Sequence, residues 1–208
     1  MQKDILFLGS QSQARQRLLQ GARIPFKVLE HTSDEALDHT KTSFHNHVLA
    51  VADSKMKALV LPDIDSVDTD YIFVLTADTL IRNPRTGEIL GKPRNRQHAY
   101  QMLAGEREGF VEVVTGCCLK KFIRSQLSWQ EDVSEQWICH TQAEFFVDED
   151  SVDFYLDSAP IALVCAGAGV IEDVGLSFLK SINGSYSGAI GLPLYELRQA
   201  LKKHNFKF

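Results

Sequence analysis

Residues 74–93 read VLTADTLIRNPRTGEILGKP, and the interpretation of the whole chain begins with this stretch. The residues at 71–75 form a short apolar run rich in β-branched and aromatic side chains, which predicts a buried strand ending at Thr76. Asp78 would then follow the end of a strand, where ligand crevices open in α/β sheets. The sequence therefore predicts a carboxylate placed for metal or proton chemistry at the edge of a sheet.

The second half of the stretch predicts a hairpin. Residues 83–87 have the composition of a turn, and they lie between the apolar pairs 80–81 and 89–90. We expect the hairpin to return the chain so that Lys92 faces the same crevice as Asp78. A carboxylate and an ammonium on one rim suit an anionic substrate handled with a divalent cation. The alternative is structural, because an Asp after a strand is commonly a capping residue and most lysines are solvated.

Composition indicates an ordinary globular protein. The chain has 208 residues, 44% hydrophobic and 24% charged, which is enough for a single α/β domain over residues 1–208, whole or pinched into two lobes. A net charge of -5 argues against broad binding to nucleic acid. The N-terminus has no signal-peptide pattern, and no apolar run approaches the roughly 18 residues of a membrane span. We therefore expect a cytoplasmic protein with no nucleic-acid or membrane partner.

Cysteine and histidine spacing does not predict a metal centre. Four cysteines, at 117, 118, 139 and 165, show no CxxC or His-paired spacing, so neither structural zinc nor a disulfide framework is expected. The histidines at 39, 45 and 47 include an H-x-H pair. They lack a third ligand at a recognised spacing, so we interpret them as surface residues.

The start of the chain predicts a strand at 5–8, a turn of small residues, and a helix. Ser10 or Ser12 is a natural N-cap, and the free amides of that first turn with Arg15 would form an anion site. A plain capped helix explains the same residues. Lys55, on an amphipathic helix predicted at 44–61, would reach a phosphate if that helix borders the crevice and would otherwise be solvated.

The remaining elements predict the fold class. Further strands are expected at 24–29, 110–122 and 137–146, a polar hairpin connection at 125–134, and helices at 95–103 and 148–156. The predicted fold is α/β, with a mixed, centrally antiparallel sheet flanked by helices.

A loop of small residues, CAGAGVIED at 165–173, is a candidate contact for a planar ligand. Small residues allow a ring to lie close to backbone, and the carboxylate of Glu172 can accept hydrogen bonds from N–H groups on the edge of a base. By itself, a Gly/Ala loop with one Glu is a weak signal.

Six short sequence motifs follow one another in a specific order. They are S-x-S-x-x-R-x-x-L-L from Ser10 to Leu19, S-D-E at 33–35, Lys55 on its helix, A-D-T at 77–79 with G-K-P at 91–93, V-T-G at 114–116, and G-S-Y at 184–186 with G-L-P-L at 191–194. Together they resemble the Maf family of nucleotide pyrophosphatases over nearly the whole chain. The family's fold is similar to that of the inosine triphosphate pyrophosphatases, with a crevice between two lobes.

The resemblance implies hydrolysis of a nucleoside triphosphate between its α and β phosphates, giving a monophosphate and pyrophosphate. Asp78 with Glu35 would hold a divalent cation, Mg²⁺ or Mn²⁺, that activates water, or Asp78 would take the proton of that water directly. The phosphates and the leaving pyrophosphate would be held by Ser10, Ser12, Arg15, Lys55 and Lys92. Glu172 would read the base. A homodimer is what the resemblance suggests for the assembly.

Departures from the family pattern bear on the substrate. Gln13 replaces the usual proline and the basic cluster around Arg15 is reduced, which weakens the expected phosphate clamp. Glu172 stands where the pyrimidine-preferring branch has Gln, and C-A-G-x-x-x-x-E is closer to the branch acting on 7-methylguanosine triphosphate. We therefore expect 7-methyl-GTP as substrate. The alternatives are a dTTP/UTP pyrophosphatase and a nucleotide-binding regulator of septum formation with little catalysis.

Overall fold

The described part of the chain contains six strands and six α-helices. The structure, a computed structural model, describes residues 3–30, 44–104 and 110–208. In chain order its strands and α-helices are β1 (Leu6–Leu8), α1 (Gln13–Gly21), β2 (Phe26–Val28), α2 (Phe44–Lys57), β3 (Tyr71–Arg82), α3 (Arg96–Ala104), β4 (Val111–Ser125), β5 (Ser128–Phe145), α4 (Val152–Ser158), β6 (Leu179–Asn183), α5 (Tyr186–Ile190) and α6 (Leu194–Lys203). Single 3₁₀ turns supply much of the connecting backbone between α4 and β6.

The strands form one mixed sheet in the order β2-β1-β3-β4-β5-β6. The short β1 pairs in parallel with β2 and β3, placing Leu8 beside Val28 on one side and Leu75 on the other. At the other end of the order, β6 pairs antiparallel with β5. Neighbouring β4 and β5 are joined by Gln126 and Leu127 alone, which makes them an antiparallel hairpin. The predicted α/β class, with a mixed sheet flanked by helices, is confirmed.

The predicted end of β3 at Thr76 is wrong. The strand continues through Asp78 to Arg82, so Asp78 lies within a strand rather than after one. The hairpin explains the extension, because Leu90 N donates to Ile81 O at 2.8 Å and Arg82 bridges to Ile89. The hairpin itself was predicted correctly, and its own hydrogen bonds carry the strand past the predicted end.

Two other boundaries differ from prediction. The polar segment at 125–134 is mostly strand, since β5 begins at Ser128 and alternates exposed and half-buried residues at its start. The acidic segment after Val147 begins as a 3₁₀ turn, Glu149–Ser151, and the α-helix starts only at Val152. At 125–134 the polar composition hid a strand, because one face of this part of β5 lies in solvent. At 148–156 the predicted helix is present, and only the start of its α-helical part differs.

The chain divides into two compact units. The first contains Met1–Asp78, Thr115–Cys139 and Gly191–Phe208, and the second contains Thr79–Val114 and His140–Ile190. The prediction of one domain over residues 1–208 stays a prediction.

Strand alternation builds two apolar layers in the first unit. Leu6, Phe73 and Leu75 share a buried cluster with residues of α1 and α6. Phe7 and Val74, whose side chains point the opposite way, pack with residues of α2. Helices therefore cover both faces of the sheet in this unit.

The second unit is packed around Tyr155. Its fully buried ring contacts Phe145 and Phe178 edge-on, with ring centroids 5.8 and 5.5 Å away. Its hydroxyl donates to Ala168 O at 3.0 Å and accepts from Val170 N at 2.7 Å. A buried tyrosine thus fixes the loop of small residues that precedes Glu172.

None of the helices within residues 3–30, 44–104 and 110–208 is both long enough and apolar enough to cross a bilayer.

A substitution at Gly116 would test how closely α2 packs on the sheet. A Cβ at this position would lie 2.8 Å from the Val48 carbonyl carbon and 2.9 Å from Leu49 N, both backbone atoms of α2. We expect Gly116→Ala to lower the free energy of unfolding by about 1–3 kcal/mol, because the helix must move away from the strand. Urea unfolding would measure it.

The matched control is Gly21→Ala, because a Cβ there meets nothing within 4 Å. We expect it to change stability by about 0.5 kcal/mol or less. Equal stability of the two variants would contradict the packing described for Gly116.

Candidate functional site

The carboxyl end of β1 leads into a capped helix. Gly9 N donates to Leu75 O at 2.8 Å, which continues the ladder one residue past β1. Ser10 Oγ accepts from Ser12 N at 3.3 Å, and Ser12 Oγ accepts from Arg15 N at 3.4 Å as the N-cap of α1. The predicted cap is therefore present, and it is Ser12 that makes it.

Arg15 is buried beside the two serines. Its Nη1 donates to Ser10 Oγ at 3.0 Å, and its Nε donates to Gly191 O at 2.9 Å. A buried guanidinium requires such partners, because an unpaired one is costly to desolvate. The structure thus brings together Ser10, Ser12 and Arg15, as predicted. Nothing in the sequence spacing indicated that Gly191 would anchor them.

Lys55 and Asp78 form a buried ion pair. Lys55 Nζ lies 2.9 Å from Asp78 Oδ1 and 3.4 Å from Ala77 O, and the two side chains are only 7% and 15% exposed. The lysine is therefore not solvated on the polar face of its helix. Its ammonium is held directly against the carboxylate that the sequence singled out.

The capped turn leaves the sheet beside β3. Leu8 of β1 pairs with Leu75 of β3, and the strands run parallel. The hydrogen bond from Gly9 N to Leu75 O continues this pairing one residue beyond β1, while β3 runs on from Leu75 to Asp78.

The predicted metal ligands are Asp78 and Glu35, and Glu35 lies outside the described residues. Within the described ranges there is no cluster of three or more His, Cys, Asp or Glu side chains suited to a metal ion. Of the two predicted ligands, only Asp78 lies among the described residues, and its carboxylate is the ligand type that Mg²⁺ prefers. Mg²⁺ is commonly bound by only one or two protein carboxylates, so Asp78 is compatible in ligand type with such an ion.

One histidine prediction is wrong. His47 is buried, with 3% of its surface exposed, whereas His45 is exposed as expected and His39 lies outside the described residues. The helical period explains the difference, because His47 lies beside Val48 and Val51 on the buried face of α2.

The second unit brings Lys92 and Glu172 towards one thiol. Burial raises the pKa of Cys165, the Glu172 carboxylate raises this pKa further, and the Lys92 ammonium lowers it. The two charged groups therefore lie within electrostatic range of the same sulfur. Gly167 N donates to Gly91 O at 2.9 Å, which ties the small-residue loop to the segment that carries Lys92.

An ion network that the sequence did not predict crosses three strands of the second unit. Arg82 donates from Nε to Glu112 Oε2 at 2.9 Å and from Nη2 to the same oxygen, and His140 Nε2 lies 3.5 Å from Glu112 Oε1. Burial raises the pKa of Glu112, but the hydrogen bonds and charges of Arg82 and His140 outweigh it, and the pKa is lowered overall. No local pattern could have revealed a pairing made across strands.

Removing the Lys55 ammonium tests the buried ion pair. Lys55→Met keeps the length of the side chain but leaves the Asp78 carboxylate without its cation. We expect the free energy of unfolding to fall by about 1–3 kcal/mol. Lys57→Met is the control, since Lys57 makes an exposed pair with Asp53 on the same helix and should leave the free energy of unfolding nearly unchanged. Equal effects would contradict the burial of the pair.

Glu112 should make stability depend on pH. Its pKa is lowered in the folded state, so its contribution is present above the unfolded pKa of about 4.3 and is lost as pH falls through the folded value. We expect Glu112→Gln to be about 1–3 kcal/mol less stable than the parent at pH 7. The difference should shrink below pH 4, as followed by urea unfolding.

The control for Glu112 is Glu131→Gln, which removes a half-exposed carboxylate paired with Lys120. It should give a small difference at every pH. A gap between Glu112→Gln and the parent that stays constant down to the acid transition would contradict the role of the network.

Comparison with known proteins agrees with this arrangement of motifs. A family model described as Maf-like protein matches residues 5–204. A dTTP/UTP pyrophosphatase of Fusobacterium nucleatum is 30% identical over 203 residues, covering 97% of this chain and 96% of the relative. A dTTP/UTP pyrophosphatase of Colwellia psychrerythraea is 31% identical over 205 residues, covering 97% and 89%.

Among solved structures, the Staphylococcus aureus Ham1 protein matches with a TM-score of 0.35 and 9% identity, covering 68% of this chain and 72% of that one. That likeness is too low to support an argument about fold or function. The family model and the sequence relatives carry the assignment, since each spans nearly the whole chain. The chain therefore belongs to the Maf family.

Proposed function

We propose that this chain is a nucleoside triphosphate pyrophosphatase that hydrolyses the bond between the α and β phosphates, with dTTP and UTP as preferred substrates. The observation that carries the proposal is the Lys55–Asp78 pair, with Nζ and Oδ1 2.9 Å apart, in the same compact unit as the Ser10–Arg15 cluster. A proton acceptor next to an anion-binding turn is what phosphate hydrolysis requires.

The turn between β1 and α1 is proposed as the phosphate site. The first amides of α1 point out of the helix end, and the helix dipole favours negative charge there. Arg15 adds a fixed positive charge, and its bonds to Ser10 and Gly191 orient the guanidinium before substrate arrives. Lys92, which is exposed, would add a second cation for the leaving pyrophosphate.

Asp78 is proposed as the general base. A water molecule attacks the α phosphorus and forms a new P–O bond, while the bond from that phosphorus to the bridging oxygen breaks. The pyrophosphate leaves with the electron pair, and the water proton passes to the Asp78 carboxylate. Lys55 keeps that carboxylate in one orientation through its contact with Oδ1.

A divalent cation, Mg²⁺ or Mn²⁺, is proposed as the cofactor, and Asp78 and Glu35 are the residues that would hold it. When bound, the ion would supply positive charge to the phosphate oxygens. Because Lys55 already occupies one oxygen of Asp78, the substrate itself would provide most of the ligands.

The choice of base follows the relatives. Those from Fusobacterium nucleatum and Colwellia psychrerythraea are named dTTP/UTP pyrophosphatases, so they support the pyrimidine alternative and give no support to 7-methyl-GTP. The carboxylate of Glu172 can accept the N3–H of uracil or thymine. A guanine offers it two donors, N1–H and the 2-amino group, so the two substrate classes make different use of this one side chain.

Pyrophosphate release from a panel of nucleotides tests both the activity and the base. The panel is UTP, dTTP, CTP, GTP, ITP and 7-methylguanosine triphosphate, each with magnesium or manganese and each repeated with EDTA. We expect release to be fastest from UTP and dTTP and to stop with EDTA. Asp78→Asn should lower kcat by roughly 10²–10⁴-fold, which is the usual contribution of a general base.

Asp65→Asn is the matched control, because the Asp65 side chain is 88% exposed. It should leave kcat unchanged. Fastest release from 7-methylguanosine triphosphate would overturn the pyrimidine preference and keep the activity. No release from any nucleotide, with binding intact, would overturn the activity and favour the septum-formation regulator.

A further inference from the structure

Tyr186 reaches the backbone next to Glu172. Its hydroxyl donates to the carbonyl oxygen of Ile171 at 2.8 Å, across 15 residues of sequence. Ile171 immediately precedes Glu172, so the tyrosine holds the peptide group from which the Glu172 side chain departs. Both residues lie in the second unit.

The backbone that carries Tyr186 is itself anchored. Thr141 Oγ1 donates to Ser185 O at 3.1 Å and accepts from Ser185 N at 3.2 Å, so both polar groups of the preceding residue are bound to β5. Gly184 has a φ of +120° and could not carry a Cβ, which would lie 2.8 Å from His140 O. The backbone from which the Tyr186 side chain extends is therefore held in one position.

The segment around Glu172 is held from its other side as well. Glu172 O accepts from Gly175 N at 2.8 Å, and Tyr155 binds Val170 N. A Cβ on Gly175 would lie 1.7 Å from Val170 O, so the tight turn requires glycine. The Tyr186 hydroxyl completes this set by fixing the carbonyl between Val170 and Glu172.

The charges near Tyr186 agree with this placement. Burial raises the pKa of Tyr186, and the carboxylates of Glu172 and Asp173 raise it further. The hydroxyl therefore stays protonated at neutral pH and acts as a hydrogen-bond donor.

We propose that Tyr186 is a specificity-positioning residue, which sets the direction of the Glu172 carboxylate towards the edge of the bound base through its hydrogen bond to Ile171 O. The inference rests on the proposed function, in which Glu172 reads the base. Tyr186 acts through Glu172 and takes no part in phosphate chemistry. Removing its hydroxyl should therefore affect the choice between bases more than it affects turnover.

The test is a double-mutant cycle between Tyr186→Phe and Glu172→Ala, read as the ratio of kcat/KM for UTP to kcat/KM for GTP. We expect Tyr186→Phe to raise this ratio roughly five- to tenfold, because guanine makes one hydrogen bond more to the carboxylate than uracil does. In the Glu172→Ala background the same substitution should change the ratio no further, because the side chain that it orients is gone. Tyr195→Phe is the control, since that side chain is 72% exposed on α6.

Thermal unfolding separates positioning from stability. A change in Tm below about 4 °C with a raised ratio supports the proposal. An unchanged or lowered ratio in Tyr186→Phe overturns it, as does an equal rise in the presence and absence of the Glu172 side chain. Equal loss of kcat/KM for UTP and GTP also overturns it, because that pattern indicates a purely structural role.

The failure of the proposed function is recognised separately. If the parent protein releases no pyrophosphate, the ratio is taken from calorimetric dissociation constants of UMP and GMP, with the same expectations for each variant. If the parent binds UMP and GMP with equal dissociation constants, or binds neither, the role of Tyr186 is overturned.

Discussion

The buried contact between Lys55 and Asp78 is the constraint on which the proposed chemistry depends. An ammonium and a carboxylate taken out of water are stable only together, so the end of α2 and the middle of β3 must meet at one geometry. The apolar side of α2 also holds the helix against the sheet. Its buried residues pack on the face opposite to α1 and α6. Packing and ion pairing thus fix the same helix from two directions.

In the turn after β1, hydrogen bonds fix the position of Arg15. Arg15 donates to a serine hydroxyl and to a backbone carbonyl, two acceptors that carry no net charge. These two bonds orient the guanidinium without neutralising it.

Much of the fold could be predicted from local patterns, and the errors have physical causes. Apolar runs located β1, β3 and β4, and turn residues located the hairpin at 83–87. The end of β3 was placed too early because cross-strand hydrogen bonds, which local sequence does not encode, extend it through Asp78. His47 was misplaced because the surface interpretation weighed its spacing to other histidines above its position on the helical face.

The candidate site divides in the same way. Motif resemblance selected Ser10, Arg15, Lys55 and Asp78, and the structure pairs them within the first unit. The motifs could not indicate that Lys55 binds Asp78 directly, because that contact joins two residues 23 positions apart on different elements. The bonds from Arg15 to Gly191 and from Tyr186 to Ile171 were hidden for the same reason, since the acceptor in each is a backbone carbonyl that any residue type could supply.

The bond from Arg15 to Gly191 joins residues 176 positions apart. A ribosome makes the arginine long before it makes the glycine, so this bond is missing during most of the synthesis of the chain. Contacts of such long range are formed late, because the entropy of closing the loop must be overcome before they contribute. The bond between Arg15 and Gly191 can therefore form only after nearly the whole polypeptide has been made, when the segment that carries α6 is available to dock.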